Sequence, residues 1–363
     1  MPPAEKQKKI LIICPYPVGV APAQRLKYEQ YFEIWEDHGY RLTVSPFMSM
    51  SFWNVVYKKG FFFLKVLYTI MGYLKRIFDL IRSPFYDGVY VFLWVSPFGW
   101  PLFERLLFLF NSKVIYDIDD MVFLGHASDA NKFILKLKGR SKMIYLMKEA
   151  KHVITCTPAL DEFVRQYNKS TTDISSTINT ETYVPKTDYR LSEPIVLGWS
   201  GSHSTSKYLH LLDKVITEIA TKHPITLKVI GDPQFELDGV NVDAIAWRRD
   251  EEVEELSKID IGLYPLPDES WVYGKSGLKA LQYMALGIPT IATDIGANKR
   301  IFEPGKNGFL LKEFEEWSDQ IEMLIASKEL REKVGGAARK TVVDQFSILA
   351  NQSLYLAILK KYI

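Results

Sequence analysis

The sequence predicts an α/β protein of two doubly wound, Rossmann-like domains, and three observations carry that prediction. Short apolar runs alternate with helix-like segments almost throughout, the pattern of parallel sheets built from βαβ units. The chain has 363 residues, more than the roughly 250–300 at which a single hydrophobic core stops growing. One polar stretch, VPKTDYRLSEP within Tyr183–Pro194, breaks the alternation between two prolines and reads as a linker. The expected domains are therefore residues 1–187 and 188–345.

In the first half the predicted strands are Lys9–Cys14, Arg41–Ser45, Gly88–Val95 and Lys113–Asp117, with His152–Thr157 as the last of the set. Helical patterns lie between them, notably Ala23–His38 and Gly99–Phe110. After the linker, Ile195–Trp199, Thr226–Ile230, Val242–Ile245, Ile259–Tyr264 and Pro289–Ala292 are strands. Lys207–Lys222, Asp250–Lys258 and Gly277–Leu286 are the helices that alternate with them. Ligands of such sheets bind outside the carboxyl ends of the strands. The loops that matter are then PYPVGVAPAQR, YDIDDM, WSGSHSTSK, IGDPQ and the YGKSG stretch at Tyr273–Gly277.

Composition removes several classes of function. A formal net charge of +2 is too small for a nucleic-acid binder. Cys14 and Cys156 stand in apolar segments without metal spacing and read as core thiols of a reducing compartment. No secretory signal is expected, since KILIICPYP reads as a strand, and no uncharged run reaches the roughly 18–20 residues of a membrane span. The expectation is a cytoplasmic protein. The segment Phe61–Arg82 qualifies it: on a helical wheel Lys65, Lys75, Arg76, Asp79 and Arg82 share one arc, and the remaining surface is apolar. Two readings are open, burial in the first domain or peripheral attachment to an anionic membrane surface, on the inner face of the cell membrane.

The clearest chemical signal is YGKSGLKALQYMALGIPTIATD, Tyr273–Asp294. A helix N-terminus presents unpaired N–H groups and favours an anion. Gly274 and Gly277 let another group approach the backbone, and Lys275 adds a mobile charge. Either this is a seat for a phosphate or it is a solvated turn with a surface lysine. WSGSHSTSK repeats the logic: an apolar strand ends at Trp199, Gly201 permits a turn, and Ser204 or Thr205 caps a helix that Lys207 begins. Two such loops, each with a lysine, favour a diphosphate site.

The segment GKSGLKALQYMALGIPTIATDIGANKRIFEPGKNGFLL resembles the donor-binding segment of glycosyltransferase family 4, whose members have the two-domain GT-B fold. Gly277, Met284, Ala285, Gly287, Pro289, Asp294, Gly296, Asn307 and Gly308 match the family pattern. KILIICPYP, YDIDD, GWSGS and VIGD support it along the chain. The sequence departs where the family has a pair of glutamates, which fall on Gly274 and Gln282. A further glutamate falls on Arg300, and a usual His-Asp pair reads Asp119-Asp120. It resembles the branch of the family with a Gly-Lys-x-x-x-Lys-x-x-Gln-Tyr-Met motif.

The resemblance implies two domains facing across a cleft, with residues 346–363 returning as a helix to the first. It implies retaining transfer from a nucleotide-diphosphate sugar, expected to be UDP-linked, to a membrane-anchored saccharide or lipid-linked acceptor in surface-polysaccharide or glycolipid assembly. Expulsion of a diphosphate needs positive charge where negative charge grows, and Lys275 supplies it as a catalytic candidate. Gly19, Gly201, Ser202, Lys207, Gly231, Ser276, Gly277 and Leu278 are candidate donor contacts. Gln282 would face the ribose, and Trp247 either a nucleobase or the core. Arg25 would meet acceptor or phosphate. Asp119 and Asp120 are assigned to sugar or acceptor hydroxyls in preference to a metal, so no metal and no cofactor is expected. A nucleotide-sugar epimerase of the same fold and a non-catalytic nucleotide-sugar binder are the alternatives.

Overall fold

In the computed structural model, residues 7–121 and 140–363 are described. The chain divides into two compact units, Met1–Ser176 with Asn351–Ile363, and Thr177–Ala350. Each is built on a six-stranded sheet whose paired strands all run parallel. The strands are β1 Lys8–Cys14, β2 Tyr40–Pro46, β3 Gly88–Phe92, β4 Val114–Asp117, β5 His152–Thr155 and β6 Thr171–Asp173 in the first unit. The second has β7 Ile195–Ser200, β8 Ile225–Ile230, β9 Val242–Ile245, β10 Ile261–Tyr264, β11 Thr290–Thr293 and β12 Phe309–Leu311. Five helices matter below: α1 Phe62–Arg82, α2 Leu102–Phe110, α3 Glu252–Ser257, α4 Leu278–Ala285 and α5 Ile348–Tyr362.

The strands are apolar because both faces of each sheet are covered. Ile10–Cys14 of β1 and Val89–Phe92 of β3 are fully buried. In the second unit, one layer of core gathers Leu281, Met284 and Ile301. The other gathers Trp199, Leu227, Leu263 and Trp317.

Strand order locates the functional ends. The first sheet runs β2-β1-β3-β4-β5-β6 and the second β12-β11-β10-β7-β8-β9. Order reverses between β1 and β3 and between β10 and β7. Such switch points open a crevice at the carboxyl ends of the strands. The loops after β7 and β10 flank the one in the second unit.

Two strands escape the sequence reading. His152–Thr155 is not the last strand of its sheet, because Thr171–Asp173 adds an edge beside it. Phe309–Leu311 likewise edges the second sheet. Both are only three residues long, too short to show a period. The expected helix Ala23–His38 is interrupted: a turn at Pro22–Arg25 and a 3-10 turn at Glu29–Tyr31 precede Phe32–Asp37. Gln24 and Glu29 instead turn back to the loop after β1, where Gln24 Oε1 accepts from Tyr16 N at 3.0 Å and Glu29 Oε2 from Gly19 N at 2.7 Å. The helix expected over Lys207–Lys222 is broken too: a short turn His203–Ser206, which Ser202 N closes by donating to Thr205 Oγ1, and a 3-10 turn Leu209–Leu212 precede the regular helix Asp213–Lys222.

Helix α1 reverses the usual arrangement. Its charged arc faces inward: Arg76 and Asp79 are 0% exposed and paired at 2.6 Å. Arg76 also donates to Cys14 O at the end of β1 and to Val95 O, while Ser45 Oγ donates to Asp79. Lys75 reaches Pro46 O at 2.9 Å, and Lys65 donates to Lys58 O. The basic arc expected at a lipid boundary is therefore, at Arg76 and Asp79, the interior face. It is buried because it satisfies carbonyls at the strand ends. The apolar face is outside.

Candidate functional site: the loops after β7 and β10

The second unit brings its two glycine-containing loops into contact. β7 ends at Ser200, whose N–H donates to Tyr283 Oη of α4 at 2.6 Å and whose hydroxyl accepts from it at 3.1 Å. This pair fixes the helix against the strand end. Gly201 follows on the Trp199 ring, and a Cβ there would lie 2.2 Å from the indole and 2.3 Å from Lys279 Nζ. Gly231, after β8, has φ +109°, and a Cβ would meet Gly201 O at 1.8 Å. Only glycine permits that approach. Below it, Asp232 accepts from His203 Nδ1 at 2.9 Å and from Ser206 Oγ at 2.5 Å, which secures the short turn His203–Ser206.

From the other side, Gly277 is the left-handed N-cap of α4, at φ +73°, and lies against Ile301. Leu278 opens the helix and packs on the core, and Ser276 is half-buried. The lysines stand on aromatic rings: Lys275 Nζ is 5.4 Å from the Trp271 centroid and Lys207 Nζ 4.9 Å from that of Tyr208. Those two rings are themselves 5.4 Å apart. The two loops thus present Lys207 and Lys275 on one aromatic pair. Lys279 Nζ comes from α4, 4.3 Å from the Trp199 centroid and 3.4 Å from Thr205 Oγ1. Lys279 is half-buried, and this desolvation, with the charge of Lys275, lowers its pKa to about 7.

Gln282 lies deeper, 5% exposed. Its Nε2 donates to Tyr183 Oη at 2.7 Å and to Glu252 Oε1 at 3.2 Å. Trp247 Nε1 donates to the same carboxylate at 3.0 Å, and Tyr183 Oη to its other oxygen at 3.3 Å. Trp247 is half-buried and packs on the core. With both amide hydrogens committed, the Gln282 carbonyl is the group left to accept from a ligand.

In the first unit, Gly19 is buried at φ +80°, its N–H held by Glu29. Arg25 closes the turn at Pro22–Arg25 and is half-buried. Asp117 is fully buried and paired with Lys27 Nζ at 2.7 Å and with Tyr90. Asp119 and Asp120 follow it, half-buried, and Asp119 O accepts from Cys156 Sγ at 2.8 Å. Asp117 is thus engaged inside the fold, and the acidic run does not act as one cluster.

Three participants were not singled out from sequence. Glu252 and the His203–Asp232 pair carry no local signal, since each depends on a partner on another element. Lys279 had one: no Asp or Glu occurs between Tyr273 and Thr293, so both lysines of that stretch need an anion from elsewhere.

Residues 194–327 match the family model described as glycosyl transferases group 1. Among curated proteins, the chain is 35% identical over 66 residues to spore coat protein SA of Bacillus subtilis (strain 168), which is 17% of this chain and 18% of that one. It is 28% identical over 144 residues to N-acetyl-alpha-D-glucosaminyl L-malate synthase of Bacillus anthracis, 37% of this chain and 35% of the relative. Both matches span well under half of the relatives' lengths. Among solved structures, HepE from Anabaena in complex with UDP and glucose superposes with a TM-score of 0.64 at 15% identity, covering 98% of this chain and 100% of that one. Sucrose-phosphate synthase from Thermosynechococcus elongatus gives 0.67 at 17%, with 98% and 100% covered. The fold is GT-B, and within it residues 194–327 are similar to the glycosyl transferases group 1 model.

Proposed function

We propose that this protein transfers a sugar from a nucleotide-diphosphate sugar, UDP-linked, to a lipid-linked or membrane-anchored saccharide, with retention at the anomeric carbon and without a metal. The observation that carries the reading is the convergence of Lys207 and Lys275, on one aromatic pair, at the two glycine loops of the β7/β10 switch point. Departure of a nucleoside diphosphate builds negative charge on its phosphates. Fixed cations beside exposed backbone stabilise that charge more in the transition state than in the ground state. The UDP and UDP-glucose complexes of the structural neighbour HepE support a uridine donor. Gln282 would accept from a ribose hydroxyl through its carbonyl, while Ser202, Gly231, Ser276 and Leu278 border the same seat. Arg25, Asp119 and Asp120 would serve the acceptor. The deciding experiment offers UDP-sugars with a lipid-linked saccharide extract, with and without excess EDTA, and follows the product by NMR. Retained configuration with undiminished rate in EDTA is expected. Epimerised donor, or a rate restored only by Mn²⁺, would overturn it.

The acceptor class rests on the first unit. Phe63, Leu67, Ile70, Leu74, Phe78 and Ile81 make one exposed face of α1, with Phe63 86% exposed. Tyr73 Oη bonds Phe98, and the loop beyond Phe98 carries Trp100 at 89% exposure. An apolar surface of this extent marks a contact face. We assign it to an anionic lipid surface, because Lys58, Lys59 and Arg105 stand exposed on the elements beside it. No helix among the described residues is long and apolar enough to cross a membrane.

A further inference from the structure

Lys279 is the cation least explained by the fold. Its side chain leaves the first turn of α4, crosses to the end of β7, and places Nζ in the space that a side chain at Gly201 would fill. On one side lies the Trp199 ring, 4.3 Å away. Its hydrogen-bond partner, Thr205 Oγ1, is distant at 3.4 Å. No carboxylate pairs with it among the described residues, and the charged neighbour acting on it is a second lysine, Lys275. Trp199, Gly201 and Thr205, which pack on it from the β7 loop, bring no charge.

Such an arrangement is costly for an ammonium and serves no ion pair of the fold. Methionine or leucine would pack on Trp199 without that cost. The site becomes favourable when an anion enters between the loops, because the anion supplies the missing counter-charge.

Resting on the reading of these loops as a diphosphate seat, we propose that Lys279 is a further anion contact of that seat, approaching from beneath Gly201, and that it takes up one proton as the anion binds. The proton comes from solvent and stays on Nζ, and no covalent bond changes. In the free protein near neutral pH the amine is divided between its two forms, since burial and Lys275 hold its pKa at about 7. In the complex the diphosphate holds it charged. Affinity for the anion must then fall as pH rises above the free pKa, because the proton is harder to obtain.

The test is calorimetric titration of UDP into the full chain between pH 6 and 8.5, in two buffers of different ionisation enthalpy. Lys279→Arg, always charged, is the reference for the titration of UDP itself. Relative to it, the native protein should lose about tenfold in affinity between pH 7 and 8.5, with proton uptake approaching one near pH 8. Lys279→Met should bind weakly without uptake while keeping its circular dichroism. Parallel pH profiles for the native protein and Lys279→Arg, with buffer-independent heats, would overturn the proposal. So would a weakened Lys275→Ala beside an unaffected Lys279→Met, an outcome that leaves the seat in place. Equal binding by the native protein, Lys275→Ala and Lys279→Met would remove the seat itself.

Discussion

Two side chains test the chemistry of the second unit. Lys275→Ala removes a cation from the aromatic pair that carries Lys207 as well. A charge-assisted contact that strengthens as the leaving group departs is worth about 2–4 kcal/mol, so turnover should fall by about 10²–10³ while UDP affinity falls less. Near-normal single-turnover rates would return the loop to a solvated turn. Gln282→Glu looks conservative from the family pattern alone. The structure makes it otherwise, because the new carboxylate would stand about where an amide now donates to Glu252 at 3.2 Å. Two buried carboxylates repel, and unfolding at pH 7 should show a loss of about 3–5 kcal/mol, the scale of an uncompensated buried charge. The loss should shrink toward pH 5 as one carboxylate is protonated. An unchanged melting temperature would mean that Glu252 is not held in this network. The position of Gln282 on its helix was legible in the sequence; its partner on α3 was not, because nothing local links residues 252 and 282.

At the scale of elements, close backbone approach and an inverted helix make distinct demands. Gly231→Ala places a Cβ 1.8 Å from Gly201 O, so one βα loop must retreat from the other. Melting temperature and UDP affinity should both fall. Gly239→Ala, also at positive φ but with nothing within 4 Å, should cost only about 1–2 kcal/mol and leave UDP binding alone. Equal effects of the two would show that the loop contact is unimportant. For α1, the double change Ile70→Glu and Leu74→Glu alters exposed positions and should leave stability within about 0.5 kcal/mol. Co-sedimentation with phosphatidylglycerol vesicles should be lost, and continued binding would dismiss this face as the attachment surface. Arg76→Ala, by contrast, leaves the buried carbonyls of Cys14 and Val95 without their donor and Asp79 with Arg82 as its remaining cation, and should cost about 2–3 kcal/mol. The amphipathic period was plain in the sequence. Which face is buried was not, because hydropathy cannot anticipate that strand-end carbonyls at Cys14 and Val95 claim the charged side.

For the molecule as a whole, alternation of strand and helix sufficed to read two parallel sheets, and the longer strands fell within three residues of their places at either end. The edge strands Thr171–Asp173 and Phe309–Leu311 were hidden because three residues carry no period. Glycines at strand ends marked loops of close approach, since Gly201, Gly231 and Gly277 each occupy a place where a side chain would collide. Sequence could not show that these loops meet at a switch point, which is a property of strand order. The central claim is that this meeting place holds the diphosphate of the donor, and comparison of UDP with uridine in calorimetric titrations at low salt tests it most directly. UDP should bind the native protein at least about 10²-fold more tightly than uridine, as expected of two charge-assisted contacts. That ratio should collapse in the Lys275→Ala, Lys279→Met double variant while uridine binding is unchanged. Equal affinity for UDP and uridine, or a ratio untouched by removing both lysines, would contradict the account.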